Sequence, residues 1–294
     1  MKRSLFTKRG IAVLAASLMA LTACSSGSDS ADTTAPESTL RIVSLSPTAT
    51  EMLYAIGAGD QVVAVDSLST YPDEVAPKVT KISAYEPSAE AILGYTPDVV
   101  VISNDMNKIS EQLTAANKDI QVWTGAAAAS LDDVYKQITE LGALTGHESD
   151  AEDLIDSMKS RIDKATSSVT PKSSLSYYYE LDNTYYSVTS NTFVGALLKP
   201  FGLANIADGV EEGNDYPQLN AEAIAKANPS VIFLADTKCC AMDKKTVSAR
   251  AGWGGIDAVK NGHIIELDDD VASRWGPRVV DLVEQFATAV SALK

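Results

Sequence analysis

One segment of the sequence occurs twice at a fixed separation of 132 residues. Residues 88–103 and 220–235 are identical at six of sixteen aligned positions. In each copy a polar N-cap residue, Ser88 or Asn220, precedes a helix with Glu in its first turn, and a proline separates that helix from an apolar strand. General α/β sequence preferences could produce such a match, but the shared Ala-Glu-Ala-Ile tetrapeptide and the equally placed proline favour two related lobes.

The rest of the body alternates short apolar strands with helical patterns. Strands are predicted at 41–45, 61–65, 99–102 and 120–123. Such alternation is typical of a parallel sheet covered on both faces. The helical spacing of apolar residues over 146–169, with an acidic first turn, predicts one long connecting helix. We therefore predict an α/β fold of two Rossmann-like lobes, 39–145 and 170–294, joined by this helix with a ligand cleft between them. Because one helix restricts hinge bending, we expect little motion between open and closed forms.

The first 23 residues have the features of an export signal. A basic start precedes the apolar run 11–20, which is too short to span a bilayer. Leu21-Thr22-Ala23-Cys24 follows and resembles the bacterial lipobox, which implies cleavage before Cys24 and acylation of its sulfur. An ordinary signal peptide with an incidental cysteine is the alternative. Residues 24–38 contain no large aliphatic or aromatic side chain and are predicted to be a flexible tether. We expect an extracytoplasmic protein, lipid-anchored to the cell membrane.

The charge of the chain excludes one class of partner. The formal net charge is −15, and loss of the four basic residues of the signal brings it to −19. Nucleic acid is therefore excluded as a partner, and broad contact with an anionic membrane surface is disfavoured. A role of this acidity in solubility alone is an equal alternative. We expect a monomer that contacts the membrane only through its lipid.

Motifs from residue 40 to the carboxyl end resemble those of a known family. They are Arg41-Ile-Val-Ser-Leu-Ser-Pro-Thr-Ala-Thr-Glu-Met-Leu53, Tyr71-Pro72, Glu90 with Pro97-Asp98-Val99-Val100, Tyr216-Pro217-Gln218, Glu222 with Pro229, and Arg274-Trp-Gly-Pro-Arg278. In this order they resemble the helical-backbone (class III) substrate-binding proteins of ABC importers for cobalamin, ferric siderophores and haem. The resemblance implies a lipoprotein that captures a metal chelate between its lobes and delivers it to the permease subunits of an importer.

The same resemblance suggests roles for six residues. Glu90 and Glu222 match the glutamates with which each lobe docks into arginine pockets of the importer, although either could simply complement a helix dipole. The resemblance places Tyr85, Tyr216 and Arg274 at the ligand cleft, where aromatic rings would stack on a flat chelate. Trp275, beside Arg274 in the last loop, is predicted to close one side. Surface or core packing is the alternative for Arg274 and Trp275.

The chelate itself is not fixed by these residues. Leu68, Asn104 and Glu180 stand where the cobalamin-binding member has aromatic residues, so a ferric siderophore and a cobalamin-type corrinoid both remain. Haem is a weaker alternative because only His147 and His263 are present, and each is more typical of a structural histidine. Tyrosines at 177–179, 185 and 186 could ligate iron, but alternation through a strand and its hairpin explains most of them.

Two adjacent cysteines, Cys239 and Cys240, are the thiols left once Cys24 is acylated. In an oxidising compartment a vicinal disulfide is predicted, with free thiols or an intermolecular bridge as alternatives. A surface thiol/disulfide redox protein is accordingly the alternative function from another class, and it would need a low thiol pKa. We expect no enzyme, no intrinsic cofactor and no metal site, since the sequence has no Gly-x-Ser-x-Gly, His-Glu-x-x-His or phosphate-binding glycine loop. Asp268-Asp269-Asp270 could bind a cation but is predicted to be solvated surface.

Overall fold

The computed structural model describes residues 39–294. The predicted signal peptide (1–23), the acylation site Cys24 and the tether (24–38) lie outside this range. Within 39–294, no helix combines the length and apolar character needed to cross a membrane.

The amino-terminal half forms a four-stranded parallel sheet in the order β2-β1-β3-β4. Its elements are β1 (Ile42–Leu45), α1 (Pro47–Ala55), β2 (Val62–Val65), α2 (Ala89–Leu93), β3 (Val99–Ile102), α3 (Ile109–Ala116), β4 (Gln121–Thr124) and α4 (Leu131–Thr145). Every residue of β1 and β3 is buried, because helices cover both faces of the sheet. All four strands lie within about two residues of their predicted positions.

One helix, α5 (Glu148–Ser167), follows the first lobe, as predicted. Its buried face is formed by Ala151, Ile155, Met158, Ile162 and Ala165. Gly142 allows α4 to approach α5, since a Cβ atom at Gly142 would lie 2.6 Å from that of Ala151. These α5 side chains belong to a core cluster with members from both halves of the chain, so the connecting helix is part of a continuous core.

The carboxyl-terminal half repeats the strand order of the first as β6-β5-β7-β8, again all parallel. Its elements are β5 (Ser176–Glu180), α6 (Phe193–Leu198), β6 (Ala204–Asn205), α7 (Ala221–Ala227), β7 (Val231–Leu234), α8 (Lys244–Ser248), α9 (Asp257–Lys260), β8 (Ile264–Glu266), α10 (Asp269–Ala272) and α11 (Val279–Ala292). The two-lobed α/β architecture is confirmed.

The sequence repeat corresponds to a structural repeat. Strands β3 and β7 are the third strands of their sheets and begin 132 residues apart, at Val99 and Val231. The predicted N-caps also match: Ser88 Oγ accepts a hydrogen bond from Ala91 N at 3.3 Å, and Asn220 Oδ1 accepts one from Ala223 N at 2.9 Å. Residues 39–294 form one unit by their contacts, so lobe boundaries at 145 and 170 stay a prediction.

The strand predicted at the tyrosine run is present as β5, and the chain turns back after it, where Leu181 N donates to the Tyr186 carbonyl oxygen at 2.9 Å, but in the described sheets no returning strand pairs with β5. Strand β5 pairs with β6 and β7, both parallel to it, and Tyr177, Tyr178 and Tyr179 are all buried. Burial strongly raises the pKa of each of these three phenols. They are therefore core residues and not iron ligands.

Candidate functional site

A cavity of about 380 Å³ lies between the two lobes. The first lobe lines it with Leu45, Pro47, Thr48, Leu68, Ala84, Tyr85, Ser103, Asn104 and Met106, and the second lobe with Asp269, Asp270, Ser273, Arg274 and Trp275. Leu45 ends β1, and Ser103 directly follows β3, so the cavity lies at the carboxyl ends of parallel strands. That edge is where open α/β sheets bind ligands.

The segment that follows α10 supplies two cavity residues, Arg274 and Trp275, that make hydrogen bonds to other side chains. Arg274 Nη2 donates to Asp270 Oδ1 at 2.7 Å, and it lies 3.4 Å from the Leu68 carbonyl oxygen in the opposite lobe. Trp275 Nε1 donates to Gln137 Oε1 at 3.1 Å, also across the lobes. Both side chains are thus held in position before any ligand arrives, which lowers the entropy lost on binding.

A smaller cavity of about 240 Å³ adjoins the first through the shared residues Ser273, Arg274 and Trp275. Tyr216 lines it together with the apolar side chains of Leu181, Val188, Phe193, Val194 and Leu282. Tyr85 is 67% exposed and Tyr216 is 55% exposed, although both are large aromatic residues. The structure therefore brings the four sequence-predicted ligand residues to one connected cleft, with a solvent-facing tyrosine from each lobe.

Several cleft residues were not predicted as ligand contacts. Leu68 and Asn104 line the cavity although neither is aromatic. Asp269 and Asp270 also line it, and Lys238 Nζ donates to Asp268 and Asp270 at 2.8 Å each, so the prediction of a merely solvated acidic turn was wrong. The four-residue spacing of Asp270 and Arg274 was the available signal for their pairing.

Glu180 does not face the cleft. It is fully buried at the end of β5, and Arg250 donates to both of its carboxylate oxygens at 2.6 and 2.5 Å. The guanidinium of Arg250 also stacks 4.6 Å from the ring centroid of Trp253. Glu180 is therefore a structural residue of the second lobe.

The two histidines lie away from the cleft. His147 precedes α5, and His263 Nδ1 lies 3.2 Å from the carbonyl oxygen of Ser230. Neither lines the cavity of 380 Å³ or its neighbour. Within residues 39–294 no group of three His, Cys, Asp or Glu side chains is arranged to hold a metal ion.

Glu90 and Glu222 occupy matched places in the two lobes. Each is the second residue of its helix, α2 or α7, and each is exposed. Among the described residues neither forms an ion pair with another side chain of the chain. The two carboxylates are therefore available to a partner.

The two cysteines lie beside the cleft. Asp269, which lines the cavity, accepts a hydrogen bond from Cys239 N at 2.8 Å. The structure has both cysteines as free thiols, with their Sγ atoms 2.7 Å apart, whereas a disulfide bond is about 2.05 Å long. The vicinal disulfide is thus not formed in this structure and stays a prediction. Burial, followed by the neighbouring Cys240 thiol, raises the pKa of Cys239 to about 12, which disfavours a redox role because the thiolate is the reactive form.

If the exported protein forms this disulfide, it should resist alkylation until it is reduced. With Cys24 acylated, we expect iodoacetamide to add no group to the oxidised protein and two groups after reduction, as measured by intact mass. A Cys240→Ser variant should instead accept one group without reduction. Uptake of two groups by the unreduced wild type would contradict the prediction.

Comparison with known proteins agrees with this architecture. The family described as periplasmic binding protein matches residues 42–271. The chain is 33% identical over 266 residues to an uncharacterized ABC transporter substrate-binding lipoprotein of Bacillus subtilis (strain 168), covering 88% of this chain and 82% of the relative. It is 29% identical over 261 residues to a cobalamin-binding protein of Halobacterium salinarum, covering 85% and 69%. The solved structure of a possible iron-binding (periplasmic solute-binding) protein from Staphylococcus epidermidis matches with a TM-score of 0.71 at 27% identity, covering 85% and 98%.

Proposed function

Because this chain belongs to the periplasmic binding protein family, we propose that it is the extracytoplasmic substrate-binding lipoprotein of an ABC importer and that its ligand is a metal chelate. One observation supports the choice of ligand class: the exposed rings of Tyr85 and Tyr216, one from each lobe, line two adjoining cavities, and Trp275 lines both of these cavities. Exposed aromatic rings at a concave site suit a large, flat ligand, since they bury much area with few rotatable bonds.

The charges of the cleft favour a corrinoid over haem. Among residues 39–294, Arg274 is the one basic residue lining the two cavities, and it is already paired with Asp270. Lys238 lies next to the same acidic turn but is itself paired with Asp268 and Asp270. The propionates of haem would therefore meet Asp269 and Asp270 where both neighbouring cations already have partners, and an unpaired carboxylate loses free energy on burial. The amide side chains of a corrinoid can donate hydrogen bonds to the same aspartates. A ferric siderophore without net negative charge would also avoid placing an unpaired negative charge beside these aspartates.

The descriptions of two relatives provide separate support for this assignment. The Bacillus subtilis relative is described as a substrate-binding lipoprotein, and the Halobacterium relative as a cobalamin-binding protein. Acylation of Cys24 holds the body at the membrane, which raises its effective concentration at the importer. Glu90 and Glu222 provide one docking carboxylate on each lobe. In this role the protein is a monomeric carrier without catalytic activity, and its partners are the permease subunits.

A fluorescence titration tests the ligand class. We expect aquacobalamin to quench the intrinsic tryptophan fluorescence in a saturable manner, because Trp275 lines the cleft. Tyr85→Ala should weaken that binding about tenfold or more, since loss of a stacked aromatic side chain removes about 1.5–3 kcal/mol of burial. Hemin and a panel of ferric siderophores are titrated in parallel.

Tyr95→Ala is the matched control for the Tyr85 variant. Tyr95 is also exposed but lines neither cavity of the cleft, so its replacement should leave the affinity unchanged. If aquacobalamin, the siderophores and hemin all fail to quench, the proposed ligand class is wrong. Quenching by hemin alone would overturn the argument from charge.

A further inference from the structure

A second cavity bounded by both halves of the chain, of about 770 Å³ and here called the rear cavity, shares no lining residue with the ligand cleft. Like the cleft it is bounded by both halves of the chain, with Tyr54 and Tyr71 on one side and Met158 and Val280 on the other. The two lobes are therefore separated by open space on two sides. The contact between α1 and residues 274–278 lies between these two spaces, because both elements line the cleft as well as the rear cavity.

Each of the two elements at this contact lines the cleft with some of its residues and the rear cavity with others. In α1, Pro47 and Thr48 line the cleft, whereas Glu51 lines the rear cavity. In the opposing segment, Trp275 lines the cleft and Arg278 lines the rear cavity. The contact thus lies at the middle of both elements, with the cleft at one end and the rear cavity at the other.

The contact itself is a buried ion pair between the lobes. Glu51 is 3% exposed, and Arg278 donates to it from N at 3.1 Å, from Nε at 3.0 Å and from Nη2 at 2.8 Å. The guanidinium also lies 3.8 Å from the ring centroid of Tyr71. A Cβ atom at Gly276 would lie 3.1 Å from Glu51 Oε1, so this glycine lets the backbone approach the carboxylate closely. Nε and Nη2 both donate to Oε2 while the backbone N donates to Oε1, so three charge-assisted hydrogen bonds fix the separation of the two lobes at this point.

We propose that the Glu51–Arg278 pair is a fulcrum between the lobes, a positioning contact that holds Arg274 and Trp275 at the cleft and sets the cleft's width. Rotation about the pair that narrows the cleft widens the rear cavity, and the reverse motion widens the cleft. The hydrogen bond from Trp275 to Gln137 and the contact of Arg274 with Leu68 lie on the cleft side of the pair, so their geometry depends on it. The effect on ligand affinity rests on the proposed function, but the effect on the lobes does not.

Pulsed electron–electron double resonance, which measures the distance between two spin labels, tests the fulcrum directly on the ligand-free protein. Spin labels are placed on Glu111→Cys in α3 and Lys245→Cys in α8, both exposed and one in each lobe, in a chain with Cys24→Ala, Cys239→Ser and Cys240→Ser. We expect a narrow distance distribution with Glu51 present and a broader or shifted one in Glu51→Gln, because the neutral amide leaves the buried guanidinium without its counter-charge. An unchanged distribution would overturn the proposal whatever the ligand is.

Affinity measured on the same variants separates positioning from stability alone. With aquacobalamin as the probe, Glu51→Gln should bind about tenfold more weakly at a temperature where it is fully folded, because part of the binding free energy is used to restore the lobe geometry. Glu180→Gln breaks a buried pair contained within the second lobe and should lower the melting temperature without changing affinity. Equal affinity for Glu51→Gln and wild type, despite a changed distance distribution, would show that this lobe geometry does not affect ligand binding. If wild type does not bind aquacobalamin, the siderophore that wild type does bind becomes the probe; if none of the chelates binds, the proposed ligand class is refuted and the distance measurement alone decides the fulcrum.

Discussion

Reversing Glu90 and Glu222 together to lysine is expected to abolish importer-dependent uptake while leaving chelate binding unchanged. Both carboxylates are exposed and lie at the starts of equivalent helices, 132 residues apart in the sequence. Truncation of a hydrogen-bonded charge at an interface costs about 2–5 kcal/mol, and reversal adds repulsion. Since 1.4 kcal/mol is tenfold in affinity, loss of both pairs should weaken the complex by more than about a thousandfold.

Uptake of a radiolabelled chelate into proteoliposomes containing the importer is the measurement. The matched control is the double reversal Asp119→Lys and Glu152→Lys, which changes the net charge equally at two exposed positions, on the first lobe and on α5. Each single reversal at Glu90 or Glu222 should give an intermediate rate, because the lobes dock independently. Normal uptake by the double variant would show that the two glutamates only complement their helices.

The architecture could be predicted because it is encoded locally. The N-caps at Ser88 and Asn220, the following glutamates and the prolines each act within a few residues, and their repetition reveals two lobes without any long-range information. The strand after each helix can be predicted from its continuous run of apolar residues, because a strand that is buried on both faces has apolar side chains on both. The tyrosine run at 177–179 was misinterpreted for the same reason: a short run of tyrosines fits an exposed alternating strand as well as a fully buried one, and only the neighbouring parallel strands decide.

The site was predictable in part. Tyr85, Tyr216, Arg274 and Trp275 were found by resemblance, and their convergence follows from the parallel sheets, whose strand ends face one cleft. The two buried ion pairs of the structure were not predictable. Arg278 and Glu51 are 227 residues apart, and Glu180 and Arg250 are 70 apart. No local pattern identifies the partner of a charged residue at such separations.

The second large effect concerns a buried acid pair behind the cleft. Asp236 and Glu180 are both fully buried at the carboxyl ends of β7 and β5, and Arg250 pairs with Glu180. Among the described side chains no donor lies within hydrogen-bond reach of either Asp236 carboxylate oxygen. Burial, and then repulsion from Glu180, raises the pKa of Asp236 to about 7, while Arg250 acts in the opposite direction. A proton on Asp236 therefore leaves one buried carboxylate, that of Glu180, to pair with the single guanidinium of Arg250.

This arrangement predicts that the protein becomes less stable as the pH rises from about 4 to about 7. In the unfolded chain Asp236 titrates near 4 and is ionised over this interval, whereas the folded state keeps the proton. Folding therefore takes up a proton, and each rise in pH favours the unfolded state until Asp236 ionises in the folded state as well. A shift of about three pKa units corresponds to at most about 4 kcal/mol. We expect Asp236→Asn, which keeps the shape and cannot ionise, to flatten this dependence and to raise the free energy of unfolding at pH 8 by a few kcal/mol.

Urea unfolding at pH 5, 6, 7 and 8 measures the effect, and the same loop provides a control of opposite sign. Hydrogen bonds from Thr246 hold the pKa of Asp243 below its usual value, because its carboxylate caps α8. Its contribution is present above the unfolded pKa and is lost only as the pH falls through the folded one, so Asp243→Ala, which removes the cap, should lower stability by about 1 kcal/mol at each pH from 5 to 8. If Asp236→Asn retains the pH slope of the wild type over this range, the proton that sets the slope is not on Asp236, and the prediction is wrong.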